Sequence, residues 1–312
     1  MEKMIDDLRS IININSVCEK DLSSAYPFGE GVHMALNKAL EICKSYGFET
    51  KNCENMIGYA EVGSGETLMG ILVHLDVVPA GDGWDTDPFS LEIKDGKVYG
   101  RGVTDDKGPA IAVIHAIKEL LDEGVTFNKR VRIIFGQAEE TGAWEDMEYY
   151  KKNEEAVDFG FTPDADFPAI YGEKGIAHLK IAFKKSDTCF NNVSGGTAIN
   201  MVPDSCTASY SVHGETKTLS VTGKAAHGST PEDGENAISK LMNELSGVVT
   251  DCKLVEFFHE FIKLEYNGES LGGQVSDEAS GPASYNIGKI ETVGDDIVLY
   301  LSLIHISEPT RP

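Results

Sequence analysis

His74 and Asp76 stand two residues apart in "HLDVVPAGDGWDTDPF", where an apolar run, "TLMGILVHLDVV", gives way to polar residues. If that run is a buried strand, both side chains leave it on the same face. An imidazole could then meet a metal ion while the carboxylate orients it from behind. A His-x-Asp pair alone is weak, since it arises by chance in a chain of this size. "YGRGVTDDKGP" adds Asp105 and Asp106 just before a helical pattern, with Gly100 and Gly102 free to turn tightly. One Asp would cap that helix; two exceed what capping requires. "GQAEETGAW" sets Glu139 and Glu140 after a second apolar strand, and "FTPDADFP" sets Asp164 after a third. Acids recurring at strand ends around one histidine form the oxygen and nitrogen donor set that divalent metals take.

These residues need a scaffold that gathers strand ends. "TLMGILVHLDVV" and "RVRIIFGQ" are short continuous apolar runs, as in a sheet covered on both faces. Between them "KGPAIAVIHAIKELLDEG" reads as a helix, with Pro109 in its first turn and Gly124 at its stop. Strand, loop, helix, strand is the order of an α/β layer structure, whose ligands bind at the carboxyl ends of the strands. The first fifty residues read as helical, and a further helix covers roughly 145–152. After about Ile181 the pattern changes to alternating segments, "CTASYSVHG" and "KTLSVTGKA", then a helix, "GENAISKLMNELSGVV". That is the pattern of a smaller sheet-plus-helix domain. His227 falls there, in the loop of "TGKAAHGSTPEDGEN", where a histidine taken alone is ordinary polar surface.

Composition narrows the class. The chain has 312 residues, 41% of them apolar, enough for one large or two ordinary domains. A net charge of -24, from 51 acidic against 27 basic residues, argues against nucleic acid or an anionic membrane as partner. No apolar run approaches the roughly 18 residues of a membrane span, and the acidic start "MEKMIDDLRSIININS" is unlike a signal peptide, so a cytoplasmic location is expected. Six scattered cysteines without a CxxC pair fit free thiols. A phosphate-loop Gly-Lys-Ser/Thr and a GxSxG nucleophile elbow are both missing.

Taken together, "HLDVVPAGDGWDTDPF", "YGRGVTDDKGP", "GQAEETG", "FTPDADFPAIYGEKG", "INMVPD" and "GKAAHGSTPEDGENAI" resemble the two-zinc metallopeptidase family of carnosinase-like dipeptidases, glutamate carboxypeptidase, acetylornithine deacetylase and succinyl-diaminopimelate desuccinylase. The wording is most similar to the bacterial Xaa-His dipeptidase (dipeptidase V) type. The resemblance implies an α/β fold: a catalytic domain over 1–180, with a mixed sheet flanked by helices, and a partial α+β lid domain over 181–300. It implies zinc, two ions in the full-length protein, with manganese or cobalt as alternatives. His74, Asp105 and Asp164 would hold the first ion, Asp105 would bridge, and Glu140 would serve the second. Asp76 would orient His74, and Glu139 would be the general base. Asn200 and His227 would reach the substrate and the developing oxyanion. The bond between Asp105 and Asp106 would be cis. Two metals roughly 3.5–4 Å apart lower the pKa of a water and polarise the scissile carbonyl while a carboxylate takes the proton.

The resemblance implies a small peptide substrate; the oligomeric state stays open. Rival readings are an N-acyl amino acid amidohydrolase of the same fold and a binding protein that kept the fold without the chemistry.

Family members run further than this chain, to an arginine that pairs with the substrate carboxylate and a last histidine for the second metal. The tail "LSLIHISEPTRP" instead matches the translation of a transposase adapter used in sequencing libraries, so 301–312 is expected to be adapter-derived and His305 is not expected to be that histidine. On this reading the first metal keeps three ligands and the second only Asp105 and Glu140. The chain as written is then expected to hold one metal, to be weakly active or inactive, and to be poorly soluble.

Overall fold

The computed structural model describes residues 2–81, 84–165, 170, 174–278 and 281–304. The chain forms two compact units, Met1–Ala169 and Ile170–Pro312.

In the first unit, α1 (Glu2–Ile12) and α2 (Glu30–Ser45) precede β1 (Glu49–Cys53), β2 (Ile57–Val62) and β3 (Leu68–His74). A hairpin of β4 (Glu92–Lys94) and β5 (Lys97–Tyr99) leads to α3 (Lys107–Asp122), β6 (Arg130–Gly136), α4 (Glu145–Asn153) and β7 (Phe159–Phe161). The expected continuous helical start is interrupted over 13–29, where Pro27 and a positive-φ Gly29 oppose helix.

The five-stranded sheet has the order β1-β2-β6-β3-β7. Strand β3 runs parallel to both β6 and β7, whereas β2 is antiparallel to β6. Strand β6 shows why its sequence is apolar throughout. Val131, Ile133 and Phe135 pack with α1, α2 and α3, while Ile134 faces the other way, with Cys53, Ile57 and Tyr150. Both faces are covered, so alternation is lost.

Two polar clusters lie inside this apolar frame. Buried Arg132 donates to Glu61 Oε2 at 2.8 Å and to the Tyr150 hydroxyl at 2.8 Å, and lies 4.1 Å over the Tyr59 ring. Asp7 of α1 meets His115 of α3 at 2.9 Å and accepts from the Tyr46 hydroxyl. Removing one partner from such a buried set costs far more than the set contributes, because a charge is left uncompensated.

In the second unit, β8 (Ile176–Lys184), β9 (Phe190–Gly195), β10 (Met201–Val202), β11 (Ser205–Val212), β12 (Glu215–Thr222) and β13 (Ala226–His227) lead to α5 (Ala237–Leu245) and α6 (Lys253–Phe257). The short β14 (Ser276–Asp277) and β15 (Gly281–Pro282) precede β16 (Ser284–Val293) and β17 (Asp296–Ile304). Six strands form an antiparallel sheet in the order β12-β11-β9-β16-β17-β8, and α5, α6 and the helical turn after α6 bury Ile238, Leu241, Leu245, Leu254 and Phe258 against it. Asn236 caps α5 by accepting from Ile238 N and Ser239 N, and its amide donates to Ile287 O of β16 at 2.9 Å. Strand β8 spans the boundary expected at 180/181 but lies wholly in this unit, paired along its length with β17. Leu301–Ile304 continue β17, with Leu301, Ser302 and Ile304 buried; His305 lies outside the described residues.

One close approach ties the first unit's sheet to its site. Gly160 of β7 lies against Gly70 of β3, and a Cβ there would collide with the Gly70 carbonyl oxygen. The obstacle is backbone and cannot rotate away. We expect Gly160→Ala to destabilise the first unit by about 1–3 kcal/mol, the usual range for overpacking. Urea unfolding checks this, and an unchanged midpoint would contradict the close packing of β7 on β3.

Candidate active site

The carboxyl end of β3 is built from three directions. His74 is its last residue, and the chain continues as Leu75, whose N–H donates to Gly136 O at 3.0 Å. Segment 13–29 then props the continuation: Val77 N donates to Ser16 O at 3.1 Å, and the buried Ser16 hydroxyl donates to Leu75 O at 2.7 Å. The turn before α3 passes through Gly102 at φ +88° and delivers Asp105 beside the imidazole. The Asp105–Asp106 peptide bond is cis, as the resemblance implied. From the far side β7 supplies Asp164, three residues past its end.

His74 Nε2 lies 2.9 Å from Asp105 Oδ1, 3.4 Å from Asp164 Oδ2 and 3.9 Å from Glu139 Oε2. One donor atom from each of His74, Asp105 and Asp164 falls within 4.8 Å of the other two. An imidazole and two carboxylates converging in this way fit the three-ligand set of a catalytic divalent metal. The other ring nitrogen, Nδ1, lies 3.0 Å from the backbone oxygen of Asp76 and 3.4 Å from its carboxylate. An acceptor there fixes the tautomer that leaves Nε2 free as a ligand.

Asp76 has a second task that its place in the sequence did not reveal. It is fully buried, and its two carboxylate oxygens accept from Glu139 N at 3.2 Å and Glu140 N at 3.1 Å. It therefore holds the short 3-10 turn Glu139–Thr141 against the end of β3, which sets both glutamates at the site. Glu140 Oε1 in turn accepts from Val78 N at 3.3 Å.

Asn200 and His227 lie in the second unit, next to each other. Met201 of β10 pairs with His227 of β13, and Gly228 N donates to Asn200 O at 2.7 Å. The His227 ring meets the Ser229 hydroxyl at 2.6 Å through Nδ1, and the residue is exposed.

The electrostatics of the first cluster are lopsided. Burial alone would discharge His74, but hydrogen bonds from its ring to Asp105, Asp164 and Asp76 outweigh it and raise its pKa far above the ordinary range. The imidazole in turn lowers Asp105. Burial, reinforced by Asp105, pushes Glu140 up to about 7, and burial also raises Glu139. Arg101, close enough to favour the Asp105 anion, donates from Nη2 to Pro79 O and Ala80 O, while its buried Nε has no hydrogen-bond partner among the described residues. Carboxylates that raise one another and outnumber their cations are the set a divalent ion stabilises.

A family model described as peptidase family M20/M25/M40 matches residues 70–291. A Staphylococcus saprophyticus protein with a provisional dipeptidase name is 36% identical over 324 residues, taking in 92% of this chain and 69% of that protein. The beta-Ala-Xaa dipeptidase of Lactobacillus delbrueckii subsp. lactis is 32% identical over 326 residues, at 91% and 69% coverage. Human carnosine dipeptidase 1 superposes with a TM-score of 0.56 at 18% identity, over 98% of this chain and 70% of that one. A Saccharomyces cerevisiae dipeptidase gives 0.57 at 18%, with the same coverage. At these identities the structural likeness is one of fold.

A pH dependence follows. A group whose protonated form is favoured by the fold stabilises it below the group's ordinary pKa, and the gain is lost as pH rises toward the folded value. Glu140, raised from 4.5 to about 7, loses its contribution across that interval, and His74, raised from 6.5, loses its own above 6.5. Asp105 is lowered from 3.8, so its gain is present above that pH and lost only in stronger acid. Lys107, lowered by burial to about 7, works the opposite way above that pH, so thermal unfolding in chelator should show the metal-free first unit becoming less stable from about pH 5 to pH 7, with a shallower slope in Glu140→Gln. Rising stability over that interval would refute this balance of charges.

Proposed function

The chain belongs to peptidase family M20/M25/M40, and from that premise we propose that it is a divalent-metal-dependent dipeptidase, with zinc as the first choice of metal and manganese or cobalt as alternatives. The observation that carries the proposal is the convergence of His74, Asp105 and Asp164, with Glu139 beside them. Likeness to proteins named as dipeptidases supports the substrate class.

His74, Asp105 and Asp164 would hold one ion, and Asp105 with Glu140 would give a second position two ligands among the described residues. Bound metal supplies Lewis acidity, which lowers the pKa of a water and polarises the scissile carbonyl. Glu139 then acts as the general base: its carboxylate accepts the proton of the attacking water and returns it to the leaving amine. Burial raises its pKa, which increases its affinity for that proton. Asp76 keeps the His74 ring and the Glu139 backbone in register. Asn200 and His227 would supply hydrogen-bond donors to the substrate and the developing oxyanion. The proposal includes a cytoplasmic setting, supported by six cysteines held as free thiols.

Elemental analysis and turnover test this together. Purified protein should carry one tightly held divalent ion per chain. Chelation should abolish hydrolysis of a dipeptide panel that includes Xaa-His substrates, and added zinc, manganese or cobalt should restore it. Glu139→Gln should keep the metal but lower kcat by about 10²–10⁴-fold, the span of general-base catalysis. His74→Ala should lose the metal. Cleavage of N-acetyl or N-succinyl amino acids with dipeptides untouched would instead favour the amidohydrolase reading, and turnover indifferent to chelation and to Glu139→Gln would overturn the mechanism.

A further inference from the structure

His74 is held at its ring by Asp76, but its backbone is held by a residue with no role so far. N–H groups alternate between the two edges of a strand. Leu75 N–H donates toward β6, to Gly136 O, so His74 N–H faces the opposite edge. Strand β7 would be the acceptor there, yet it pairs with β3 only from Met69 to Ile71. The acceptor is Asp106 Oδ2, at 3.0 Å.

Asp106 is oddly used for its position. It is the N-cap residue of α3, where an aspartate ordinarily accepts from the first helical N–H groups, but its side chain makes no capping bond. It is fully buried, and its other oxygen, Oδ1, has no hydrogen-bond partner among the described residues. A buried carboxylate with an unsatisfied oxygen is costly. What the fold gains at that cost is a single bond, to the backbone of His74.

We propose that Asp106 is a positioning residue for the metal site: by accepting the His74 N–H where β7 ends, it locks the imidazole-bearing strand end to the segment that carries Asp105. One residue thus couples two ligands, Asp105 through its own peptide bond and His74 through the hydrogen bond. The idea rests on the metal reading of the preceding subsection and adds a residue to it.

The test uses the purified chain, stripped of metal and titrated with cobalt(II) chloride, with affinity read from visible absorption. Asp106→Asn keeps an oxygen that can accept the His74 N–H; Asp106→Ala does not. The alanine variant should bind cobalt about 10–100-fold more weakly, the usual loss when a group supporting a ligand is removed, and the asparagine variant should stay within about threefold of the parent. Leu36→Ala, which opens a cavity in the core far along α2, should lower the thermal midpoint and leave cobalt affinity alone. Equal affinities in the parent and both Asp106 variants would overturn the proposal, as would equal losses in the two variants. A parent chain that binds no cobalt would count against the metal reading instead. The contact itself is then read without metal, and without the alanine variant should it not fold. The His74 amide proton should shift in Asp106→Asn, as an amide oxygen replaces a carboxyl oxygen as its acceptor, and an unmoved resonance would overturn the proposal.

Discussion

Six carboxylates, those of Asp76, Asp105, Asp106, Glu139, Glu140 and Asp164, are gathered around the one imidazole of His74. The basic residues close to them do not balance that charge. Arg101 donates from Nη2 to Pro79 O and Ala80 O rather than to a carboxylate, and the buried Lys107, whose pKa burial lowers to about 7, donates to Ile14 O at 2.8 Å. Such a cluster is unfavourable in itself, and each further acid makes the next harder to ionise. The fold tolerates it because the cost falls at one spot and a bound cation reverses its sign, turning mutual repulsion into shared ligation.

Holding acids together against their repulsion calls for rigid anchors. The parallel strands β3, β6 and β7 end at one edge of the sheet, so their following residues start close together without long loops. Buried acids then fix the backbone just beyond. Asp106 takes the N–H of His74, Asp76 takes those of Glu139 and Glu140, and Asp146 takes that of Gln137 at 2.7 Å. Each fills a place where sheet pairing has run out and a backbone donor would otherwise be buried without a partner. The side chains that orient the site are therefore chemically the same as those that line it, and only their burial separates the two jobs.

That division explains which parts were legible in the sequence. Acids after apolar runs are visible as a pattern, so the residues brought together around His74 stand out in the chain itself. The apolar character of β3 and β6 reported a sheet covered on both faces, and the structure has helices on both. Asp76 was legible only in part. Its place two residues from His74 pointed to the ring, but its backbone oxygen makes the shorter contact there, while its carboxylate serves the glutamates 63 and 64 positions away. Asp106 looked surplus to helix capping, which was the one available sign, since its partner is a backbone group 32 residues earlier. The buried pairs Arg132–Glu61 and Asp7–His115 left no trace, because periodicity reports which face is inward and not whether a polar group there finds its counterpart. Strand β8 was divided by the expected boundary because its first residues follow a stretch whose composition resembles the first unit.

The same charge balance bears on the role proposed for Glu139, in catalysis rather than in binding alone. A protein that only holds a metal gains from ligands with low pKa values, since protons compete with the ion. Asp105 fits that demand: the imidazole lowers its pKa, and it converges with His74 and Asp164. Glu139 does not. It stands 3.9 Å from His74 Nε2 and more than half exposed, and burial of its carboxyl group by the surrounding chain raises its pKa. A carboxylate with enhanced proton affinity beside a cation site is a good proton acceptor. Its backbone is nevertheless pinned by Asp76, a buried acid that otherwise steadies the ring of His74. Tying Glu139 to the same anchor as His74 restrains the distance between them, which the proposed proton transfer requires.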